Sequence, residues 1–367
     1  MKIPLSAPDI TDLEVSAVAQ VLRSGRLSLG PQLEAFESAV AQFTHAKHAV
    51  GVSSGTAGLH LAVRALGLKE GDEVILPSFT FIAAANVLLY ERITPAFADI
   101  DSATLNLDPA CVQAVITGRT RAVLAVHTFG VPAALDELKS IAQRYRLLLI
   151  EDACEALGAE YGGNKIGSLA DAGVFAFYPN KQITTAEGGV LVTQSESLAA
   201  RVRSLRNHGR PETNEWLQHA ELGYNYRLSE LHAALGVAQM QRIDSILARR
   251  EQIARAYAER LAGSSGLVLP PLDLPSRSIS WFVYVVRLAE NYSQASRDRI
   301  IEQMAARGIA CGRYFAPVHL QPPYGATKRA PLPITEGTSA RTIALPFFNQ
   351  ITESQLDEVA ETLRSLL

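Results

Sequence analysis

Residues 173–181 read Gly173-Val174-Phe175-Ala176-Phe177-Tyr178-Pro179-Asn180-Lys181. The first five form an uncharged apolar run that stops at Tyr-Pro and a lysine. Apolarity at successive rather than alternate positions is the mark of a strand covered on both faces. Six further strand candidates lie at 48–52, 73–76, 95–98, 122–126, 147–150 and 189–192. Helical patterns at 56–66, 82–90, 109–116 and 134–145 separate most of them. This alternation predicts an α/β fold: a mainly parallel seven-stranded sheet with helices on both faces.

Beyond residue 228 the pattern changes. A helical stretch rich in Ala, Leu, Arg and Gln runs to about residue 261. A link holding Pro270, Pro271 and Pro275 follows, then a strand at 281–288, a helix at 296–307, a Pro- and Gly-rich loop, and a last helix from Thr352. The expected organisation is a large domain over residues 1–243 and a smaller α+β domain over 244–367, carried on the long helix. The chain has no internal repeat.

Composition narrows the function. The 367 residues are 48% hydrophobic and 19% charged, with a net charge of −3 and no basic block, which argues against a nucleic-acid partner. Cys111, Cys154 and Cys311 are few and far apart, so neither a disulfide framework nor a zinc site is indicated, and a reducing cytoplasm is the expected location. The start, Met1-Lys2-Ile3-Pro4-Leu5 with Asp9 and Asp12 soon after, does not read as a signal peptide. The longest uncharged run, 74–90, is too short and too polar to span a bilayer.

Three loops, each at the C-terminal end of an expected strand, carry the chemistry; that edge of an open parallel sheet is where ligands bind. The first is Ser53-Ser54-Gly55-Thr56-Ala57-Gly58, a strand-to-helix turn whose free N–H groups suit a phosphate, although alone it is only a turn. The second is Glu151-Asp152-Ala153-Cys154-Glu155. An isolated Asp152 reads as a helix N-cap; its functional alternative is an acid that keeps a pyridine nitrogen protonated and makes the ring an electron sink. The third ends in Lys181 and continues through Thr184-Thr185-Ala186-Glu187-Gly188-Gly189. A lone lysine is a surface residue. One at the end of an apolar run is desolvated and becomes a nucleophilic amine. Between Asp152 and Lys181 there is room for a short hairpin and one more strand.

Taken in order, these elements make the chain resemble the DegT/StrS-type nucleotide-sugar aminotransferases, pyridoxal-phosphate (PLP) enzymes of fold type I, the aspartate-aminotransferase-like fold. The resemblance runs from Gly30-Pro31 and Phe36-Glu37 through Ser54-Gly55-Thr56-Ala57, Pro77-Ser78-Phe79-Thr80-Phe81, Phe97-Ala98-Asp99 and Glu151-Asp152. It continues with Tyr178-Pro179-Asn180-Lys181, Glu187-Gly188-Gly189, Asn207-His208-Gly209, Gly223-Tyr224-Asn225-Tyr226-Arg227, Pro317-Val318-His319-Leu320 and Leu345-Pro346. It implies that Lys181 is the Schiff-base lysine and that Asp152 binds the pyridine nitrogen. Phe81 stacks on one ring face, with Cys154 near the other. Thr56 and Ala57, beside Gly55, offer N–H groups to the cofactor phosphate. Asn225 reaches the phosphate of the neighbouring subunit's cofactor, which implies a homodimer with shared sites. Arg227, Tyr314, His319 and Glu187 are implied near the substrate.

Two positions depart from the family's commonest pattern. Ala176 stands where a phosphate-binding serine is usual. Glu155 stands where Gln or His is usual near the phenolic oxygen; a carboxylate there must be protonated or turned away. His127 follows the strand at 122–126 and fits a place near the site or a structural role behind it. Cys154 has no partner base and reads as packing. No His pair has metal-site spacing, so no metal is expected.

The reaction implied is transfer of an amino group, with glutamate as donor, to a keto-sugar linked to a nucleotide, Lys181 serving as general base and acid. Rival readings are a cyclitol or other carbocyclic ketone as acceptor, a PLP-dependent sugar dehydratase, and a non-catalytic regulator of the same fold. Dehydratases of this family have a histidine where Lys181 stands, and no DNA-binding segment is appended. Residues that choose the sugar are expected in the loops 209–222 and 321–337.

Overall fold

A computed structural model describes residues 2–211, 218–325 and 330–367. Its centre is a seven-stranded sheet in the order His48–Val52, Gly189–Thr193, Ala172–Ala176, Leu148–Asp152, Thr120–Val126, Glu73–Pro77, Thr94–Ala98. All strands run parallel except Gly189–Thr193, which is antiparallel to both neighbours. The sheet is therefore the mainly parallel one expected from the apolar runs. Successive side chains of a strand point to opposite faces, and here both faces are dry. Val123 and Ala125 join one buried cluster with Phe36, Leu138 and Ile141. Ala122, Leu124 and Val126 join the other with Leu59, Leu61 and Val87. Two helices, Asp12–Ser24 and Pro31–Thr44, precede the first strand.

The hairpin Glu160–Tyr161/Asn164–Lys165 and the strand Ala172–Ala176 fill the room between Asp152 and Lys181. The hairpin is extended by Arg277–Ser278 from the far side of the proline-rich link. Farther along the chain, a three-stranded antiparallel sheet of Leu267–Val268, Tyr284–Leu288 and Thr342–Leu345 packs its own buried cluster, including Tyr257, Trp281, Met304 and Leu356. Ile3 belongs to that cluster too, bridging Ile309 from the start of the chain.

The long helix expected over 228–261 is two helices, Glu230–Met240 and Ile243–Leu261. The break falls at Gln241–Arg242. Arg242 leaves helical geometry, and its guanidinium donates to Asp9 at 3.0 Å and Glu14 at 2.9 Å. Glu14 is buried and also accepts from Thr11 N–H and Gln239 Nε2. Gln239 Oε1 in turn accepts from Thr184 N–H, so this network supports the loop that carries Lys181.

Burial alone pushes the Glu14 carboxyl up; hydrogen bonds from Thr11, Arg242 and Gln239 outweigh it and bring it down to about 2. A carboxyl lowered by folding stabilises the fold above its ordinary value, near 4.5, and loses that contribution as the pH falls toward 2. Glu14→Gln should therefore cost about 3 kcal/mol at neutral pH. The deficit should narrow below about pH 5, as read by urea unfolding at a series of pH values. A deficit that stays constant into acid would show that the charge of Glu14 is not what stabilises this corner.

Candidate active site

The pairing registers set five strand ends in one row: Val52 opposite Gly189, Gly189 opposite Ala176, Asp152 opposite Val174, and Val126 opposite Asp152. The loops leaving this row line a cavity of about 460 Å³, which Phe282, Tyr314 and Phe315 complete from the C-terminal part of the chain. Of the residues expected at a site, Gly55, Thr56, Phe81, Asp152, Cys154, Glu155, Ala176, Lys181, Glu187 and Tyr314 line it.

One wall is the start of the helix Gly55–Ala65. Ser54 caps it, its hydroxyl accepting from Ala57 N–H at 3.1 Å and its carbonyl from Gly58 N–H at 3.0 Å. The Ala57 N–H is therefore already engaged, and Ala57 does not line the cavity. The N–H groups of Gly55 and Thr56 have no acceptor among the described residues, and both residues line the cavity. Two free donors at the positive end of a helix dipole make an anion site. Gly55 is required by contact: a Cβ there would lie 2.6 Å from the Ala176 Cβ and 3.0 Å from the Cys154 sulfur.

The acids divide between two faces. Asp152 ends its strand, is nearly buried, and accepts from Cys154 N–H at 3.1 Å. No helix follows it, so it is not an N-cap. Glu151 points the other way, fully buried, and accepts from Gly167 N–H, Leu169 N–H and His127 Nε2. His127 Nδ1 accepts from Ala133 N–H, so the ring proton sits on Nε2, facing Glu151. His127 is fully buried outside the cavity and holds the strand end in place.

Glu155 Oε2 accepts from Phe129 N–H at 2.9 Å, which leaves Oε1 3.7 Å from the Lys181 amine. Burial pushes the Glu155 carboxyl up, and Lys181 opposes that rise. Burial, reinforced by Asp152, pushes the Cys154 thiol well above its ordinary value, so it packs as a thiol and is no nucleophile.

Lys181 sits in a loop pinned by hydrogen bonds to Phe177 O from Thr184 Oγ1 and Thr185 N–H. Gln182 extends the pinning to the Glu155 carbonyl at 2.7 Å and to the Ser280 hydroxyl at 3.0 Å. Ser280 brings Phe282 with it, and the Lys181 amine lies 4.1 Å from the centroid of that ring. The carboxamide oxygen of Asn180, also at the cavity, is buried with no partner among the described residues. Burial, then Glu155, push the Tyr314 hydroxyl up. Phe282 and Phe315 carry no signal in the sequence; they reach the site through tertiary contacts such as that of Gln182 with Ser280 and the packing of Phe315 on Phe129 and Phe79.

Three more of the expected residues, besides Ala57, do not line the cavity. His319 is fully buried, its ring nitrogens engaged by Ser78 Oγ at 2.6 Å and Glu336 at 3.1 Å. Arg227 donates to Asn207 Oδ1 at 3.0 Å and bridges Val52. Asn225 is exposed on the same stretch, bridging Asn207. In the loops expected to select the sugar, residues 212–217 and 326–329 lie outside the described residues.

A family model described as the DegT/DnrJ/EryC1/StrS aminotransferase family matches residues 8–364. The chain is 39% identical to the GDP-perosamine synthase of Caulobacter vibrioides, an alignment covering 100% of this chain and 98% of that protein. Among solved structures, DesV of S. venezuelae, in complex with a ketimine intermediate, superposes with a TM-score of 0.92 at 36% identity, over 99% of this chain and 98% of DesV. Spr1654 of Streptococcus pneumoniae in its PLP form superposes with a TM-score of 0.95 at 28% identity, over 100% of this chain and 98% of that one. With this agreement along the whole chain, and the strand-end lysine, aspartate and helix start gathered at one cavity, the protein belongs to the DegT/DnrJ/EryC1/StrS aminotransferase family.

Proposed function

We propose that this aminotransferase moves an amino group from glutamate to a keto-sugar carried on a nucleotide, using PLP bound in the cavity described above. The observation that carries the reading is one cavity lined by an amine, Lys181, a strand-end carboxylate, Asp152, and two open N–H donors, Gly55 and Thr56. Those residues fit PLP in kind: the donors suit its phosphate, Asp152 its pyridine nitrogen and Lys181 its aldehyde carbon. Phe81, largely exposed at the rim, and Cys154 would flank the ring. PLP supplies an electron sink that makes the proton on the donor's amino carbon removable.

The chain's own residues do the rest. The Lys181 amine would be the base that takes up that proton and, once protonated, the acid that gives it back. Asp152 would hold the pyridine nitrogen of the bound group and keep it protonated. Glu155 Oε1 stands 3.7 Å from that amine and the Phe282 ring centroid 4.1 Å from it, a ring face that favours a cation. The family resemblance supports glutamate as the donor. The same reading divides the chain near residue 243, supported by the separate apolar cluster around Tyr257. Among the described residues no helix is long and apolar enough to cross a membrane; we place the enzyme in the cytoplasm, a reading supported by its few, widely separated cysteines.

A panel of nucleotide-linked keto-sugars incubated with glutamate tests this. One should gain an amine in place of its ketone, with 2-oxoglutarate released in equal amount, as read by mass spectrometry. Amination of a free cyclic ketone, with no nucleotide-linked sugar turned over, would overturn the substrate class.

The reading extends to assembly: a homodimer whose sites each draw Asn225 from the second subunit. Ala176 provides no hydroxyl, so the phosphate has fewer local donors and the loss of Asn225 should tell. Asn225→Ala should weaken cofactor binding about ten- to hundredfold, since a hydrogen bond to a charged group contributes about 1.5–3 kcal/mol. Mixing Asn225→Ala with Lys181→Ala under subunit exchange should restore part of the activity, because the mixed dimer keeps one intact site. An active monomer in sedimentation, or no recovery despite exchange, would contradict the shared site.

A further inference from the structure

The helix whose first turn opens into the cavity also carries His60, which is 4% exposed and takes no part in the chemistry above. Its Nε2 is 2.9 Å from Glu91 Oε1 and its Nδ1 is 3.1 Å from the Tyr226 hydroxyl. Tyr224 donates to the same Glu91 oxygen at 3.0 Å, and Arg64 donates to the other at 2.8 Å. A carboxylate only accepts, so Nε2 carries a proton; in the neutral ring, Nδ1 then accepts from Tyr226. Although burial pushes the Glu91 carboxyl up, hydrogen bonds from His60, Tyr224 and Arg64 bring it below its ordinary value, which keeps it an anion. The Tyr224 and Tyr226 rings stack at 5.0 Å, 14° from parallel.

The backbone of this stretch is fixed as well. Tyr226 O accepts from Ser53 N–H at 2.8 Å, and Tyr224 N–H donates to Leu205 O at 2.7 Å. The residues on either side of Asn225 therefore both turn inward, to one histidine–glutamate pair. In an extended stretch successive side chains alternate. Asn225 accordingly faces outward and is exposed in the single chain.

We propose that His60 is a positioning residue: by holding Tyr226 directly and Tyr224 through Glu91, it aims Asn225 at the cofactor of the second subunit. This rests on the reading of Asn225 given above. One helix then serves both sites of the dimer, its first turn facing the cofactor of its own subunit and His60 setting the residue lent to the other. Glu91 and Arg64 complete the network, and His60 does not line the cavity of its own chain.

The test is the dissociation constant of PLP, read from absorbance after equilibrium dialysis of the holoenzyme and its variants. His60→Ala should weaken binding about tenfold, and Tyr226→Phe, which deletes one hydroxyl and keeps the ring stack, should weaken it several-fold. The double variant His60→Ala/Asn225→Ala should bind no more weakly than Asn225→Ala alone, because the pin has nothing left to aim. Losses that multiply in the double variant would overturn the proposal, since a merely structural His60 acts independently of Asn225. Wild-type affinity in both His60→Ala and Tyr226→Phe, with Asn225→Ala weakened, would overturn it too while leaving the reading of Asn225 intact. Wild-type affinity in Asn225→Ala would remove that reading and the pin together. Thermal melting checks that each variant is folded.

Discussion

Lys181→Ala should yield a folded protein that holds no covalently attached cofactor and turns over at least about 10²–10⁴-fold more slowly, the range lost with a general acid–base alone. The fold should survive because the loop is held by Thr184, Thr185 and Gln182 rather than by the lysine side chain. What the variant loses is the amine itself, 3.7 Å from Glu155 and 4.1 Å from the Phe282 ring. Without its cation Glu155 loses the contribution that opposes burial, and its carboxyl rises further. Lys181→Arg separates the two contributions, since it keeps a cation beside Glu155 but has no amine to attack the cofactor. It should melt near wild type and remain as inactive as the alanine variant, in single-turnover assays with glutamate. Substantial turnover in either variant would mean that another group carries the proton.

Asp152→Asn is expected to bind cofactor and lose about 10²–10³-fold in turnover, the cost of removing one preorganised electrostatic partner. The local structure should be unchanged, because the amide oxygen still accepts the Cys154 N–H that Asp152 Oδ1 accepts at 3.1 Å. An amide has no negative charge with which to keep a pyridine nitrogen protonated, so the electron sink weakens while the cavity keeps its shape. Measured as kcat at saturating cofactor, near-wild-type turnover would reduce Asp152 to a residue that closes a turn.

The sequence made these residues legible for a physical reason. A parallel sheet covered on both faces has strands apolar at nearly every position, so each run ends abruptly, and the residues just past its end fall on one edge. Asp152 and Lys181 could be placed there from the runs 147–150 and 173–177 without knowing the strand order. The direction in which a polar side chain points was not legible. Ala57 stands beside Thr56 in the same turn, yet Ser54 takes its N–H, and the open donors are Gly55 and Thr56. His319 and Arg227 fall in matching motifs, but their side chains turn to Ser78 and Asn207. The break between the helices Glu230–Met240 and Ile243–Leu261 has no proline or glycine to announce it. It follows from Arg242 reaching back more than two hundred residues to Asp9 and Glu14. Phe282, whose ring lies 4.1 Å from the Lys181 amine, comes from beyond the proline-rich link and is fixed by the contact of Gln182 with Ser280.

The central claim is that Lys181 is the residue to which the cofactor is bound covalently. Borohydride reduction of the holoenzyme, followed by proteolysis and mass spectrometry of the cofactor-bearing peptide, tests it most directly. The reduced cofactor should appear on one peptide, attached to Lys181, with loss of the enzyme's visible colour. Attachment to any other lysine, or a coloured enzyme that yields no modified peptide, would contradict it.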